Sequence, residues 1–226
     1  MRAFVSVLLL ATATAFAADV PLTVSDVITG PQSHVRITNG GTQAVTAWAL
    51  AATTQSDGGR THREVYTTDG YLSEATHGLP GADERLERLM PGQSRVISLD
   101  PLPAGTTVTA FAVVLDDGTA IGDESTLRAI FARRVNERDA LRAIVDAFNE
   151  VLPTTHGTAA LEALRTRFTA LAQQEESIPC RAALDAVQQF SRKGSADEVD
   201  QSLKTYAAFV TQQYELAAKH SRRKPA

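Results

Sequence analysis

His62 and Glu64 stand two residues apart in a stretch that reads as a β-strand, so both side chains project from one face. An imidazole and a carboxylate placed in this way can begin a transition-metal site, and His77, in the connection that follows, would supply a third ligand. The competing reading is a solvated strand face followed by a loop histidine, since the three residues lack tight ligand spacing. Geometry separates the two: a metal requires ring nitrogens of His62 and His77 to approach a common point. The connection from Asp69 to Met90 is long for a small β-domain and also carries Tyr71, so Tyr71 and His77 define a possible functional loop.

Other reactive patterns have structural explanations. Asp116, Asp117, Asp123 and Glu124 do not follow the spacing of a twelve-residue calcium loop, and a hairpin turn plus a helix cap account for them. Gly92-Gln93-Ser94-Arg95-Val96 lacks the second glycine of a nucleophile elbow. The chain has no zinc-protease helix, phosphate-binding loop or dinucleotide fingerprint, so the sequence implies no catalytic residue and no cofactor. Cys180 is alone, which excludes an intramolecular disulfide, and it reads as a small buried helix residue. Arg133, Arg134, Arg138 and Arg142 resemble a basic stripe, but Glu137 and Asp146 follow at helical spacing, so intrahelical pairing on a solvated face is expected.

The elements that must position these residues fall into two halves. Residues 20–115 are rich in Val, Thr and Ala, with strands expected near 20–28, 33–39, 43–54, 60–68, 93–99 and 106–115. Gly30-Pro31, Asn39-Gly40-Gly41, Asp57-Gly58-Gly59, Pro91-Gly92 and Pro103-Ala104-Gly105 supply the turns between them. Alternation puts Thr46, Trp48 and Leu50 on one face and Val45, Ala47 and Ala49 on the other, with Trp48 filling the core. After Gly122 the period becomes helical. Leu127, Ile130, Phe131 and Val135 form one stripe and Leu141, Ile144, Val145, Phe148 and Leu152 a second, the first expected to pack on the β-domain and the second on later helices. Three further helices follow, marked by Leu161 to Leu171, by Leu184 to Phe190 behind Ser177-Ile178-Pro179, and by Val199 to Ala217. The fold class is therefore α+β: an antiparallel β-sandwich, then a helical hairpin array or four-helix bundle.

Residues 1–17 read as a cleavable signal peptide, with Arg2, an apolar run from Ala3 to Leu10 and a cleavage site at Ala15-Phe16-Ala17. The expected organisation continues with a sandwich domain at 18–122, a helical domain at 123–220 and a basic disordered tail at 221–226. This leader implies a periplasmic or secreted protein with no membrane span after cleavage. The net charge is -4, with the acidic excess in residues 1–122, and neither half carries the basic surplus that nucleic-acid binding requires.

The segments Val35-Arg36-Ile37-Thr38-Asn39, Val45-Thr46-Ala47-Trp48 and Ala112 to Asp123 resemble a group of exported bacterial proteins of unknown function. That resemblance covers residues 20–150 and implies an immunoglobulin- or fibronectin-like sandwich with a helical C-terminal extension, without implying any site residue. The residues themselves, with no familiar catalytic motif among them, leave two functions expected. The first is a noncatalytic interaction or structural module for an envelope or extracellular protein partner. The second is a metal-binding protein or enzyme that uses His62, Glu64, His77 and Tyr71 converging in one pocket.

Overall fold

The computed structural model describes residues 20–55, 58–72, 88–174, 177–193 and 195–224. Residues 1–17, read above as a leader, and His77 lie outside the described residues. The elements are β1 (Leu22–Ile28), β2 (His34–Asn39), β3 (Val45–Gln55), β4 (Thr61–Asp69), β5 (Ser94–Ser98), β6 (Thr107–Leu115), β7 (Ala120–Gly122), α1 (Glu124–Val151), α2 (Gly157–Gln174), α3 (Ile178–Phe190) and α4 (Ala196–His220). Each strand expected from the sequence is present within two residues at either end.

The strands form two antiparallel sheets, ordered β1-β2-β5 and β4-β3-β6-β7. Leu22, Val35 and Ile37 from the first sheet and Trp48, Leu50, Val108 and Val113 from the second share one core. Trp48 is 1% exposed, as expected of a large indole on an inner strand. Residues 45–52 of β3 are buried without interruption, because the opposite face of the strand is covered too. There, Ala47, Ala49, Ala112 and Val114 meet Leu127, Ile130 and Phe131 of α1.

Within β3, alternation fails at the start of its pairing with β6. Val45 pairs with Leu115 and Ala47 with Val114, so Thr46 is the extra residue of a β-bulge. In consequence Val45 joins Trp48 in the inter-sheet core, while the Thr46 hydroxyl accepts a bond from α1. The sequence assignment of these two residues to faces is therefore reversed.

Asp123 caps α1 by accepting from the Thr126 N–H at 2.9 Å. This 28-residue helix serves both halves of the protein. Phe131 packs on the sheet, and Phe148 lies in a separate core with Phe168, Leu164, Val187, Leu203 and Val210 from α2, α3 and α4. The two stripes of α1 thus have disjoint partners, as their separation by Asn136 to Asp139 led us to expect. Ser177 and Ser195 cap α3 and α4, and Cys180 is buried in the first turn of α3. Among the described residues, no helix is long and apolar enough to cross a membrane.

Candidate functional site

Arg134 lies where β3, the end of β4 and the last turn of α4 meet α1. Its Nε donates to Asp69 Oδ2 at 2.9 Å and its Nη2 to Asp69 Oδ1 at 2.7 Å. Nη2 also donates to the Thr46 hydroxyl at 3.1 Å, and Nη1 to the His220 carbonyl at 3.1 Å. That carbonyl belongs to the last turn of α4, where a cation offsets the negative end of the helix. Both charged side chains have zero exposure. Arg134 is thus a buried bidentate ion pair, and not part of a solvated face as its helical neighbours suggested. Arg142 and Asp146 do form the expected pair at 3.7 Å, while Arg133 divides itself between Glu137 at 3.6 Å and Asp69 at 3.0 Å.

Tyr71 closes this cluster from the connection side. Its ring lies 4.7 Å from the Arg134 guanidinium, and its O–H donates to Glu137 Oε2 at 2.5 Å. Burial, and then the bond to Glu137, raise its pKa far above the ordinary phenol range, so the hydroxyl stays protonated at neutral pH. Chemically the cluster is a charge-matched bridge joining β3, β4, α1 and α4, with Tyr71 as its apolar lid.

His62 and Glu64 do share a face, with His62 Nε2 3.2 Å from Glu64 Oε1. The second carboxylate oxygen accepts from Tyr66 O–H at 2.7 Å. The bond from Tyr66, followed by that from His62, holds the Glu64 pKa below its usual value. Burial and then Glu64 push the Tyr66 hydroxyl up to about 12. Tyr71 is not brought to this pair: it lies beyond the far end of β4 from His62, roughly 20 Å or more along the strand. Among the described residues no group of three His, Cys, Asp or Glu side chains is placed to hold a metal.

The acidic residues after β6 have structural partners. Asp117 Oδ1 accepts from the Thr119 N–H at 2.9 Å, which closes the β6–β7 turn. Asp123 Oδ2 takes Ser125 and Thr126, which lower its pKa to about 2. Other partners come from the chain end. Arg223 binds both oxygens of Glu124 at 2.6 and 2.8 Å, and Lys224 Nζ reaches Asp117 at 2.8 Å. The Lys224 N–H donates to the Gly118 carbonyl at 3.0 Å. Residues 223 and 224 are therefore held against the start of α1 and the β6–β7 turn, where a disordered tail was expected over 221–226; residues 225 and 226 lie outside the described residues. The bond to Lys224 holds Asp117, and the bond to Arg223 holds Glu124, below the ordinary carboxylate range. A depressed native pKa stabilises above the unfolded value and is lost as pH falls through the native one. The clasp should accordingly be complete above the ordinary values of 3.8 and 4.5 and loosen below them. Hydrogen exchange at the Lys224 amide, corrected for its intrinsic pH dependence, is expected to lose protection there first, and constant protection to pH 2 would refute the assignment.

One long edge remains. β4 ends its sheet, and no described strand lies on its outer side. Thr61 to Val65 are all exposed, and Val65 retains 51% of its surface. On the helix side, Val65 and Thr67 form one wall of a groove of about 410 Å³, with Ser125, Ala129 and Arg133 of α1 opposite and Ile130 buried beneath. The groove exists because α1 rests on β3 and β6, leaving the outer strand uncovered.

No family model, curated protein or solved structure matches the chain.

Proposed function

We propose that the chain is an exported, noncatalytic interaction module, an immunoglobulin-like sandwich joined to a four-helix bundle, and that β4 is the edge on which it receives a protein partner. The leader pattern at residues 1–17 supports export, with the periplasm as destination. The observation that carries the reading is the nine-residue edge strand with its groove beside α1. An extended segment added to such an edge gains main-chain hydrogen bonds, while alternate side chains enter the neighbouring groove. Arg63 and Glu64 put charge on the first half of the strand, a common protection against indiscriminate edge pairing. The uncharged run Val65-Tyr66-Thr67-Thr68 leaves the second half open to one partner.

A photo-crosslinking residue at Val65 or Ala129 is expected to capture the same envelope protein in the exporting cell, and one at Lys204, exposed on α4, is expected not to. Equal capture from all three positions would remove β4 as the docking edge. Metal analysis of the same purified protein supplies the opposing result, since a stoichiometric metal lost on replacing His62 and His77 would establish the metal-binding alternative.

A further inference from the structure

We infer that Asn39 is a modification site gated by unfolding: its side-chain amide survives while the sandwich is closed at this corner, and its loss as ammonia bars the chain from returning to the native state. The inference is independent of what β4 receives.

The chemistry lies in the pair Asn39-Gly40. In an open chain the Gly40 amide nitrogen can attack Asn39 Cγ, because a residue with no Cβ leaves that nitrogen unshielded. A bond forms between Gly40 N and Asn39 Cγ, the Cγ–Nδ2 bond breaks, and Nδ2 leaves as ammonia with the proton from the Gly40 nitrogen. Water then opens the cyclic imide at either carbonyl. One product is an ordinary aspartate. The other routes the backbone through the former side chain and so lengthens the main chain by one carbon.

The fold restrains each atom of this step. Asn39 has no exposed surface. Its Nδ2 donates to two carbonyls, Gln43 at 2.8 Å and Leu89 at 2.9 Å, and its Oδ1 accepts from the Gly41 N–H at 2.9 Å. The Gly40 N–H, whose nitrogen would attack, donates to the Pro21 carbonyl at 3.0 Å. The Asn39 backbone is fastened as well, its N–H to the Gln93 carbonyl and its own carbonyl to the Gly92 N–H. Leaving group and nucleophile are both tied, and the water needed for the second step is kept out.

The same contacts make the change irreversible in effect. A carboxylate at position 39 would turn an acceptor towards the Gln43 and Leu89 carbonyls and bury a charge that none of these partners matches with a cation. The lengthened product would also disturb the register in which Asn39 lies opposite Leu22 of β1.

The test holds the purified protein at neutral pH in native buffer and in guanidinium chloride. Mass spectrometry of the peptide containing Asn39 reads amide loss, and helical circular dichroism reads the fraction that refolds on dilution. We expect conversion in native buffer to be slower by roughly a hundredfold or more, since only the sparse open population reacts. Refolding yield should fall in step with conversion, and Asn39→Asp, made directly, should refold poorly from the start. Gly40→Ala separates this chemistry from aggregation. Its φ lies outside the left-handed region and an added Cβ meets nothing within 4 Å, so the fold is kept while the methyl group shields the attacking nitrogen. Its refolding yield should hold while that of the unaltered chain declines. Equal conversion in buffer and denaturant would overturn the gating. Converted chains that refold in full, or an equal decline in Gly40→Ala, would overturn the bar to refolding.

Discussion

Replacing Arg134 with methionine is expected to lower the unfolding free energy by about 3–5 kcal/mol, the usual consequence of removing one partner from a buried ion pair. The native protein would then hold Asp69 with zero side-chain exposure, and only Arg133, at 3.0 Å and half in solvent, would offset its charge. The Thr46 hydroxyl and the His220 carbonyl would lose their bonds from the guanidinium as well. Methionine keeps much of the volume against Tyr71 and Phe131, so the loss measures polar satisfaction more than packing. Combining Arg134→Met with Asp69→Leu is expected to recover most of the stability, because no buried charge then remains unpaired. Urea titration followed by helical circular dichroism gives both numbers. A cost below 1 kcal/mol for the single variant would sink the assignment of this pair as the joint between the two halves.

Much of the fold could be read from local chemistry. Turn glycines and period-two alternation located six strands but not the three-residue β7, and the change of period after Gly122 located α1. The Thr46 bulge escaped because pairing across two strands sets it, and alternation within one strand carries no trace of it. The buried bridge was obscured for a different reason. Glu137 lies one turn from Arg133, so local pairing seemed sufficient, whereas Asp69 is 65 positions from Arg134. A signal was present nonetheless: Leu127, Ile130, Phe131 and Arg134 follow the spacing of one helical face, which puts a cation on the apolar stripe. His220 likewise continues the stripe of Ala217 and is 2% exposed. The acidic turn residues seemed fully employed by turn and cap. Their second partners, Arg223 and Lys224, lie about a hundred positions away. Of the candidate site, the shared face of His62 and Glu64 was legible from alternation. The open edge was not, since strand order decides it.

Gly122 carries the second large effect, because it is where the sheet ends and α1 begins. Its φ is +118°, a region that L side chains rarely adopt. An added Cβ would lie 2.1 Å from the Phe111 carbonyl oxygen and 2.7 Å from Ala112 Cα, both backbone atoms that no rotamer change can move. The same carbonyl accepts from the Asp123 N–H at 2.9 Å, and Asp123 is the cap of α1. Relief of the clash would therefore lift β7 from β6, break that bond and displace the start of the helix that holds Arg134. Gly122→Ala is expected to cost about 3 kcal/mol or more, which is backbone strain with a lost contact added. Gly105→Ala is the control: φ there is +80° and nothing lies within 4 Å of the new Cβ, so strain alone should cost about 1–2 kcal/mol. The difference between the two variants in urea titration isolates the close approach of β7 to β6. Equal losses would mean that β7 does not sit against Phe111, and α1 would then need another anchor to bring its cation to Asp69.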